Sequence, residues 1–332
     1  MKINAYAIMT KGGNAEPFMY ERKVRENDVL VRVTHCAIAK GDIQIIDNDW
    51  GDTKFPVVPG HEIIGVVEHA GSEVTSVKTG DRVGIGYQQQ ACFACEFCKE
   101  GNEQFCSSHK VIAVDTYGGF AEHIVTDSKF AFKLPVKLDA AKSCPLLSSG
   151  LTVYAAITRA ELSDDSTVAV LGVGGLGQLA IQYLNKMGHK VSAFSHSPQK
   201  KEMINMLEAE YIDTLDHDLA RHNRKFDFIL STLNVEFDMD THLRMVKPQG
   251  KICIVAQPPG KLSLSLGLLY DYAQRTIYGN YTGSRRDMMN MIAFSAQHDI
   301  ESFVKVLPFS KMNEAIKKVR SGSPVRLVLE NI

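Results

Sequence analysis

Two patterns of apolar and polar positions divide the chain. Up to about residue 147 the apolar residues come in short, β-branched runs set apart by glycine turns: Val29–Cys36, Ile63–Ala70 and Ala121–Asp127. Such runs predict strands of a β-rich domain. After Leu146 the rhythm changes. Helical spacing over Thr152–Ala160 leads into the apolar strand Thr167–Leu171, then a glycine turn, a helix over Leu176–Lys186 and a second strand over Lys190–Phe194. Further strands are predicted at Phe226–Ser231, Lys251–Val255 and Thr276–Asn280. Strands alternating with helices predict a parallel sheet, because parallel neighbours need a crossover between them. The last stretch, Ser284–Ile332, carries an amphipathic helix (Lys311–Val319) and a closing strand (Val325–Leu329). The fold class is therefore α/β, a doubly wound parallel sheet beside a β-rich domain.

A chain of 332 residues accommodates two domains of this kind. The net charge of -1 gives no attraction to nucleic acid or to an anionic membrane. No apolar run reaches the roughly 18 residues needed to span a bilayer, and the first residues, MKINAYAIMT, lack the pattern of a signal peptide. These features point to a cytoplasmic protein with reduced thiols. Seven cysteines, four of them within fifteen positions, favour a metal over disulfides.

Gly172-Val173-Gly174-Gly175-Leu176-Gly177 fits G-x-G-x-x-G between a strand and a helix. The first glycine permits the tight turn, the second a close approach of backbone to pyrophosphate, the third the packing of helix on strand. The helix N-terminus then offers unpaired N–H groups to the phosphates. Where an NAD site places Asp or Glu at the end of the second strand, this chain has Ser195-His196-Ser197-Pro198-Gln199-Lys200-Lys201. Hydroxyls and lysines without an acid suit a 2′-phosphate, so NADP(H) is favoured over NAD; the plain alternative is a solvated turn.

Cys92-x2-Cys95-x2-Cys98-x7-Cys106 is the most specific signal. Three thiolates at three-residue spacing, closed by a fourth, surround one tetrahedral zinc ion and leave no position for substrate, which makes the zinc structural, one per chain.

Together these elements resemble the medium-chain dehydrogenase/reductase superfamily, in its cinnamyl-alcohol-dehydrogenase-like branch, over essentially the whole chain. Gly60-His61-Glu62 with Ile63-Ile64-Gly65-Val66-Val67, Lys78-Thr79-Gly80-Asp81-Arg82-Val83-Gly84, Gly118-Gly119-Phe120-Ala121-Glu122, Gly150-Leu151-Thr152-Val153-Tyr154 and Gly279–Ser284 sit in family order. The resemblance implies a GroES-like catalytic domain from residues 1–147 and 284–332, with a zinc lobe over 90–108, and a Rossmann domain over 148–283. It further implies a substrate cleft at their junction, a homodimer, a small-molecule substrate, and 2′-phosphate partners at Ser195, His196 and Lys200. Thr152 falls at the family position near the nicotinamide.

The departures from the family pattern matter more. Its catalytic zinc is held by a Cys of G-I-C-H-[ST]-D, the His of G-H-E and a later Cys. Here the first position is Ala39 in Ala37-Ile38-Ala39-Lys40-Gly41-Asp42, the relay hydroxyl is Gly41, the relay histidine is Gln44, and the later cysteine is Ser148. His61, Glu62 and Asp42 remain. A catalytic zinc wants three protein ligands, so the site reads as degraded, with Cys36 and Cys144 nearby as either stand-ins or ordinary core cysteines. Without a Lewis acid, hydride delivery favours an activated alkene or carbonyl, with His61 or Glu62 as proton donor and Thr152 bonding the carbonyl or a water. Trp50 is either a pocket wall or a rim aromatic; Lys40 is either a pyrophosphate partner or solvated. Two alternatives stay open: a zinc alcohol dehydrogenase with atypical ligands such as Cys36, His61, Glu62 and Asp42, and an NADPH-binding protein without catalysis. Nucleic-acid binding through the zinc lobe is disfavoured by the neutral charge and the lack of a basic recognition helix.

Overall fold

The computed structural model describes residues 1–331 except 217, 259 and 324. The chain forms two compact units, Met1–Ser148 with Ser284–Ile332, and Ser149–Gly283. In the first, a sheet runs in the order Val304–Pro308, Arg326–Glu330, Asp28–Ile38, Glu62–Ala70, Arg82–Ile85 and Phe132–Lys133, and His123–Asp127 also pairs with Asp28–Ile38. The hairpin Lys2–Ile8/Ala15–Glu21 stands beside it as a separate pair. Its core is aliphatic, with Ile3, Val31, Val33, Ile38, Ile43, Ile63 and Leu329 almost wholly buried. Trp50 packs at the edge of this core as a partly buried rim residue.

One register in this sheet places the chemistry. Asp28–Ile38 pairs antiparallel with Glu62–Ala70 so that Ala37 faces Glu62, and with Arg326–Glu330 on its other side so that Ile38 faces Leu327. The ends of three strands therefore bring residues 37–39, 61–62 and 326 together. The helix Lys40–Ile46 starts immediately after, with Asp42 in its first turn reaching back to the N–H of Ala39 at 2.7 Å.

The second unit holds a six-stranded sheet, all parallel, in the order Glu210–Asp213, Lys190–Ser195, Thr167–Leu171, Phe226–Ser231, Val246–Ile254, Thr276–Gly279. Counted along the chain, this is 3-2-1-4-5-6, the doubly wound order that binds dinucleotides where the strand sequence reverses. The first strand, Thr167–Leu171, lies at that reversal and ends in the glycine turn. Helix Gly175–Lys186 follows, burying Leu179, Ile181, Tyr183 and Leu184. No helix among the described residues is long and apolar enough to cross a membrane.

Candidate active site and zinc lobe

The glycine turn has the stereochemistry its sequence requires. Gly172 has φ +82°, a left-handed conformation that side chains rarely adopt. A Cβ on Gly177 would lie 2.1 Å from the carbonyl oxygen of Gly172, so only glycine lets the helix sit this close to the strand. A Cβ on Gly174 would meet nothing within 4 Å, which marks the open side of the turn. Gly175 and Leu176 begin the helix, where first-turn N–H groups have no carbonyl to bond within it. Open space beside unpaired N–H groups at a helix N-terminus fits the pyrophosphate of a dinucleotide.

At the end of the next strand, Ser195 is buried and its hydroxyl oxygen accepts from the N–H of Ser197 at 3.2 Å, while His196 is exposed. Lys200 is half-buried, its ammonium donating to the carbonyl of Val173 in the glycine turn at 2.8 Å. Burial lowers its pKa. Residues 195–201 include no carboxylate. In the same unit, Thr152 is buried and its hydroxyl donates to the carbonyl of Tyr281 at 2.8 Å. Of the two roles expected of Thr152, bonding a carbonyl or a water, this bond favours the water. Its proton is already given away, so as placed it can only accept, from water or from a substrate hydroxyl.

The lobe gathers its four sulfurs. The ligand atoms of Cys92, Cys95, Cys98 and Cys106 all lie within 4.8 Å of one another, and Cys92 and Cys98 are 3.9 Å apart. Tetrahedral zinc with Zn–S of about 2.3 Å needs sulfurs about 3.8 Å apart, so the set fits the ion. Backbone N–H groups of Ala94 and Cys95 donate to the Cys92 sulfur at 3.4 and 3.3 Å, and hold its pKa down to about 6. Burial pushes Cys98 up to about 12. Four thiols so close cannot all ionise unless a cation replaces their protons. Phe93, with φ +53°, lies beneath the Lys129 ammonium, 3.9 Å from its ring, and the Arg285 guanidinium, 5.5 Å away; Arg285 also pairs with buried Glu103 at 3.3 Å. Sequence reasoning missed Glu103 and Arg285, which lie 182 residues apart and carry no local signal.

At the strand ends the structure brings Asp42 and His61 together. Asp42 is fully buried; one oxygen accepts from His61 Nδ1 and from the N–H of Gly60, both at 2.9 Å, and the other from Ala39. Burial alone would discharge His61, but the Asp42 carboxylate prevails and raises its pKa above 6.5. Burial alone would likewise raise Asp42, yet His61 and the two backbone donors hold it below its ordinary value. The far edge of the His61 ring is open on one side. A Cβ on Gly41 would lie 3.4 Å from Cε1 and 3.8 Å from Nε2, so glycine leaves clear the place a side chain would fill. Tyr87 packs edge-on at 5.5 Å between ring centroids. Glu62 is buried against Arg326, whose guanidinium lies 3.6 Å away and also bonds the carbonyl of Ile38. Arg326 and Tyr87 were not foreseen; the sheet register carries Arg326 here, and Tyr87 follows the strand Arg82–Ile85.

The atypical ligand set is not gathered in this structure. Among the described residues, the lobe is the only group of three or more His, Cys, Asp or Glu whose ligand atoms come together. Cys36 is sealed under Gly60 and Gly119, where added Cβ atoms would lie 2.7 and 3.0 Å from its sulfur. Cys36 and Cys144 are both fully buried, and burial pushes both thiols up, as for cysteines of an apolar core. Ala39 offers no ligand atom. Lys40 is exposed.

Comparison with known proteins adds a second line of observation. Residues 25–136 match the model of the alcohol dehydrogenase GroES-like domain, and residues 175–297 that of the zinc-binding dehydrogenases. The chain is similar to the aldehyde reductase AdhA of Synechocystis, 34% identical over 333 residues and 99% of both chains. Its fold is similar to a cinnamyl alcohol dehydrogenase from Sorghum bicolor, with a TM-score of 0.94 at 29% identity, covering 99% of this chain and 98% of the other. It is also similar to the corresponding Helicobacter pylori enzyme, described in complex with NADP(H), with a TM-score of 0.92 at 27% identity over 99% and 98% of the two chains.

Proposed function

Because the chain belongs to the zinc-type alcohol dehydrogenases of the medium-chain dehydrogenase/reductase superfamily, we propose that it is an NADP(H)-dependent oxidoreductase that carries a structural zinc and works without a catalytic one. The substrate is a small activated carbonyl or a conjugated alkene. The observation that supports this reading is the Asp42–His61 pair standing where the family pattern places a metal, with Ala39 and Ser148 at the two thiolate positions. When bound, NADPH supplies the hydride. Gly172, Gly174, Gly175, Leu176 and Gly177 hold its pyrophosphate, and Ser195, His196 and Lys200 its 2′-phosphate.

The chain's own residues supply the rest. Asp42, fixed by Ala39, Gly60 and His61, holds the imidazole with Nδ1 as the inner donor and favours its protonated form. His61 Nε2 then offers a proton on the side that Gly41 leaves open. A protonated imidazole stabilises an oxygen as it gains negative charge, although less strongly than a metal ion does. This is why activated acceptors are favoured over simple aldehydes. Arg326 lies 3.6 Å from the buried Glu62 carboxyl and pairs with it, so the proton is assigned to His61. The family reading also leads to a cytoplasmic homodimer, and light scattering tests the dimer.

The test combines metal analysis with NADPH oxidation. One zinc per chain, with turnover of enones or quinones well above that of simple aldehydes, is the expected outcome. A second zinc ligated by His61, whose removal abolishes turnover, would sink the proposal. Tight NADPH binding with no oxidation across enals, enones, quinones and aldehydes would instead mark a non-catalytic binding protein.

A further inference from the structure

The carbonyl groups that lead into the glycine turn are all turned inward. The Thr232 hydroxyl lies 3.0 Å from the carbonyl oxygen of Leu171 and 2.9 Å from that of Gly172. The Gly172 oxygen also presses against Gly177, as the 2.1 Å approach of an added Cβ shows. The next carbonyl, that of Val173, accepts from Lys200 at 2.8 Å. Lys200 comes from a different place in the chain, the short turn Pro198–Lys200 after the second strand, and that turn is itself fixed by the bonds from Ser197 to Ser195 and from Lys200 to Ser197. With these three carbonyls engaged, the turn keeps its open space at Gly174.

Lys200 is an unusual partner for a carbonyl. It is half-buried, and no salt bridge joins it to a carboxylate among the described residues. An ammonium has three N–H donors. One is engaged on Val173, and the remaining two, with the charge, are available to an anion. Both tasks can therefore be met at once, without the side chain swinging from one to the other.

We propose that Lys200 is a clasp joining the two halves of the cofactor site: it holds the Val173 carbonyl, which sets the turn for the pyrophosphate, while the same ammonium receives the 2′-phosphate. This rests on the NADP(H) reading above. Lys200 is a positioning residue for the turn as well as a phosphate contact, and the two roles separate by ligand. NADH has the pyrophosphate but lacks the 2′-phosphate, so a residue that served only the 2′-phosphate would leave NADH binding untouched.

The experiment measures Kd for NADPH and NADH by fluorescence titration, on the full-length zinc-loaded protein, for wild type, Lys200→Met and His196→Ala. Salt of about 0.5 M shortens the reach of simple charge attraction to a few ångströms. With the clasp, Lys200→Met weakens NADH about tenfold and NADPH about a hundredfold or more, as expected for losing one and then several charge-assisted hydrogen bonds. His196→Ala, exposed and without contact to the turn, weakens NADPH alone. A Lys200→Met protein with an unchanged melting temperature that loses NADPH affinity but binds NADH like wild type would overturn the clasp. A wild type that prefers NADH would instead overturn the NADP(H) reading, and the loss of NADH affinity in Lys200→Met would still decide the clasp.

Discussion

Gly174 and Gly177 sit three residues apart in one turn, yet a methyl group would act on them in opposite ways. At Gly177 the added Cβ lies 2.1 Å from backbone, so Gly177→Ala must open the turn. We expect it to lower stability by about 3 kcal/mol and to abolish NADPH binding together with it. At Gly174 the Cβ meets no protein atom within 4 Å and φ is -105°, so Gly174→Ala should melt like wild type. Its methyl occupies the space the pyrophosphate needs, at a cost of about 1–3 kcal/mol, or about ten- to a hundredfold in Kd. Thermal melts beside cofactor titrations distinguish the two, and equal melting temperatures would refute the close packing at Gly177. The Asp42–His61 pair predicts a pH dependence. Asp42 is held below its ordinary pKa, so its contribution is present above about pH 4 and is lost as the pH falls through its folded value. His61 is held above its ordinary pKa, so its contribution is present below about pH 6.5 and is lost as the pH rises through its folded value. Asp42→Asn should therefore cost most, about 3–5 kcal/mol, between about pH 4 and 6.5, and less on either side. Melting curves of both proteins from acid to alkaline pH check this; a difference that is constant with pH would mean the pair is not charged.

At the scale of elements, the period of the apolar residues located most strands to within a residue or two. Thr167–Leu171 and Phe226–Ser231 have the bounds expected of them, because buried parallel strands are continuous apolar runs with sharp ends. The strand expected at Lys251–Val255 begins earlier, at Val246, since a polar stretch containing Pro248 and Gly250 joins the ladder irregularly. The helix Arg285–His298 was not anticipated. Its apolar spacing is diluted by polar residues, although Ser284 and Asp287 form a reciprocal capping box that signals its start. This helix also anchors the zinc lobe: Arg285 pairs with Glu103, and Arg286 lies over Gly101, where an added Cβ would fall 2.9 Å from its guanidinium. Loss of the metal should consequently spread beyond the cysteines. Cys98→Ser, which removes a buried ligand, is expected to lower the zinc content to near zero, to open residues 92–106 to protease, and to speed hydrogen exchange in the first turn of Arg285–His298. Exchange followed by mass spectrometry checks it, and faster exchange confined to the lobe would show that the two arginines do not couple it to the helix.

For the whole molecule, local signals and long-range ones were unequally legible. The glycine turn and the four-cysteine lobe are each written within fifteen residues or fewer, so their chemistry could be read before any fold was known. The missing thiolates were equally plain once the family pattern was laid over Ala39 and Ser148. The arrangement standing in their place was not plain, because Asp42, His61 and Arg326 meet only through the register of three strands from both ends of the chain. A second metal should therefore be recoverable by reversing the losses. In Ala39→Cys/Ser148→Cys, two thiolates join His61, and three ligands with one open position are what a catalytic zinc requires. The expected result is a rise from one zinc per chain to two, with the preference moving from activated acceptors toward simple aldehydes as a Lewis acid takes over the charge on oxygen. Asp42 should survive this change in its present role, since a metal-bound imidazole also needs its other nitrogen held by a carboxylate. Zinc analysis of the double variant, with each single variant as control, is decisive: a content that stays at one would mean that the Asp42–His61 pair has become incompatible with the metal, not merely short of ligands.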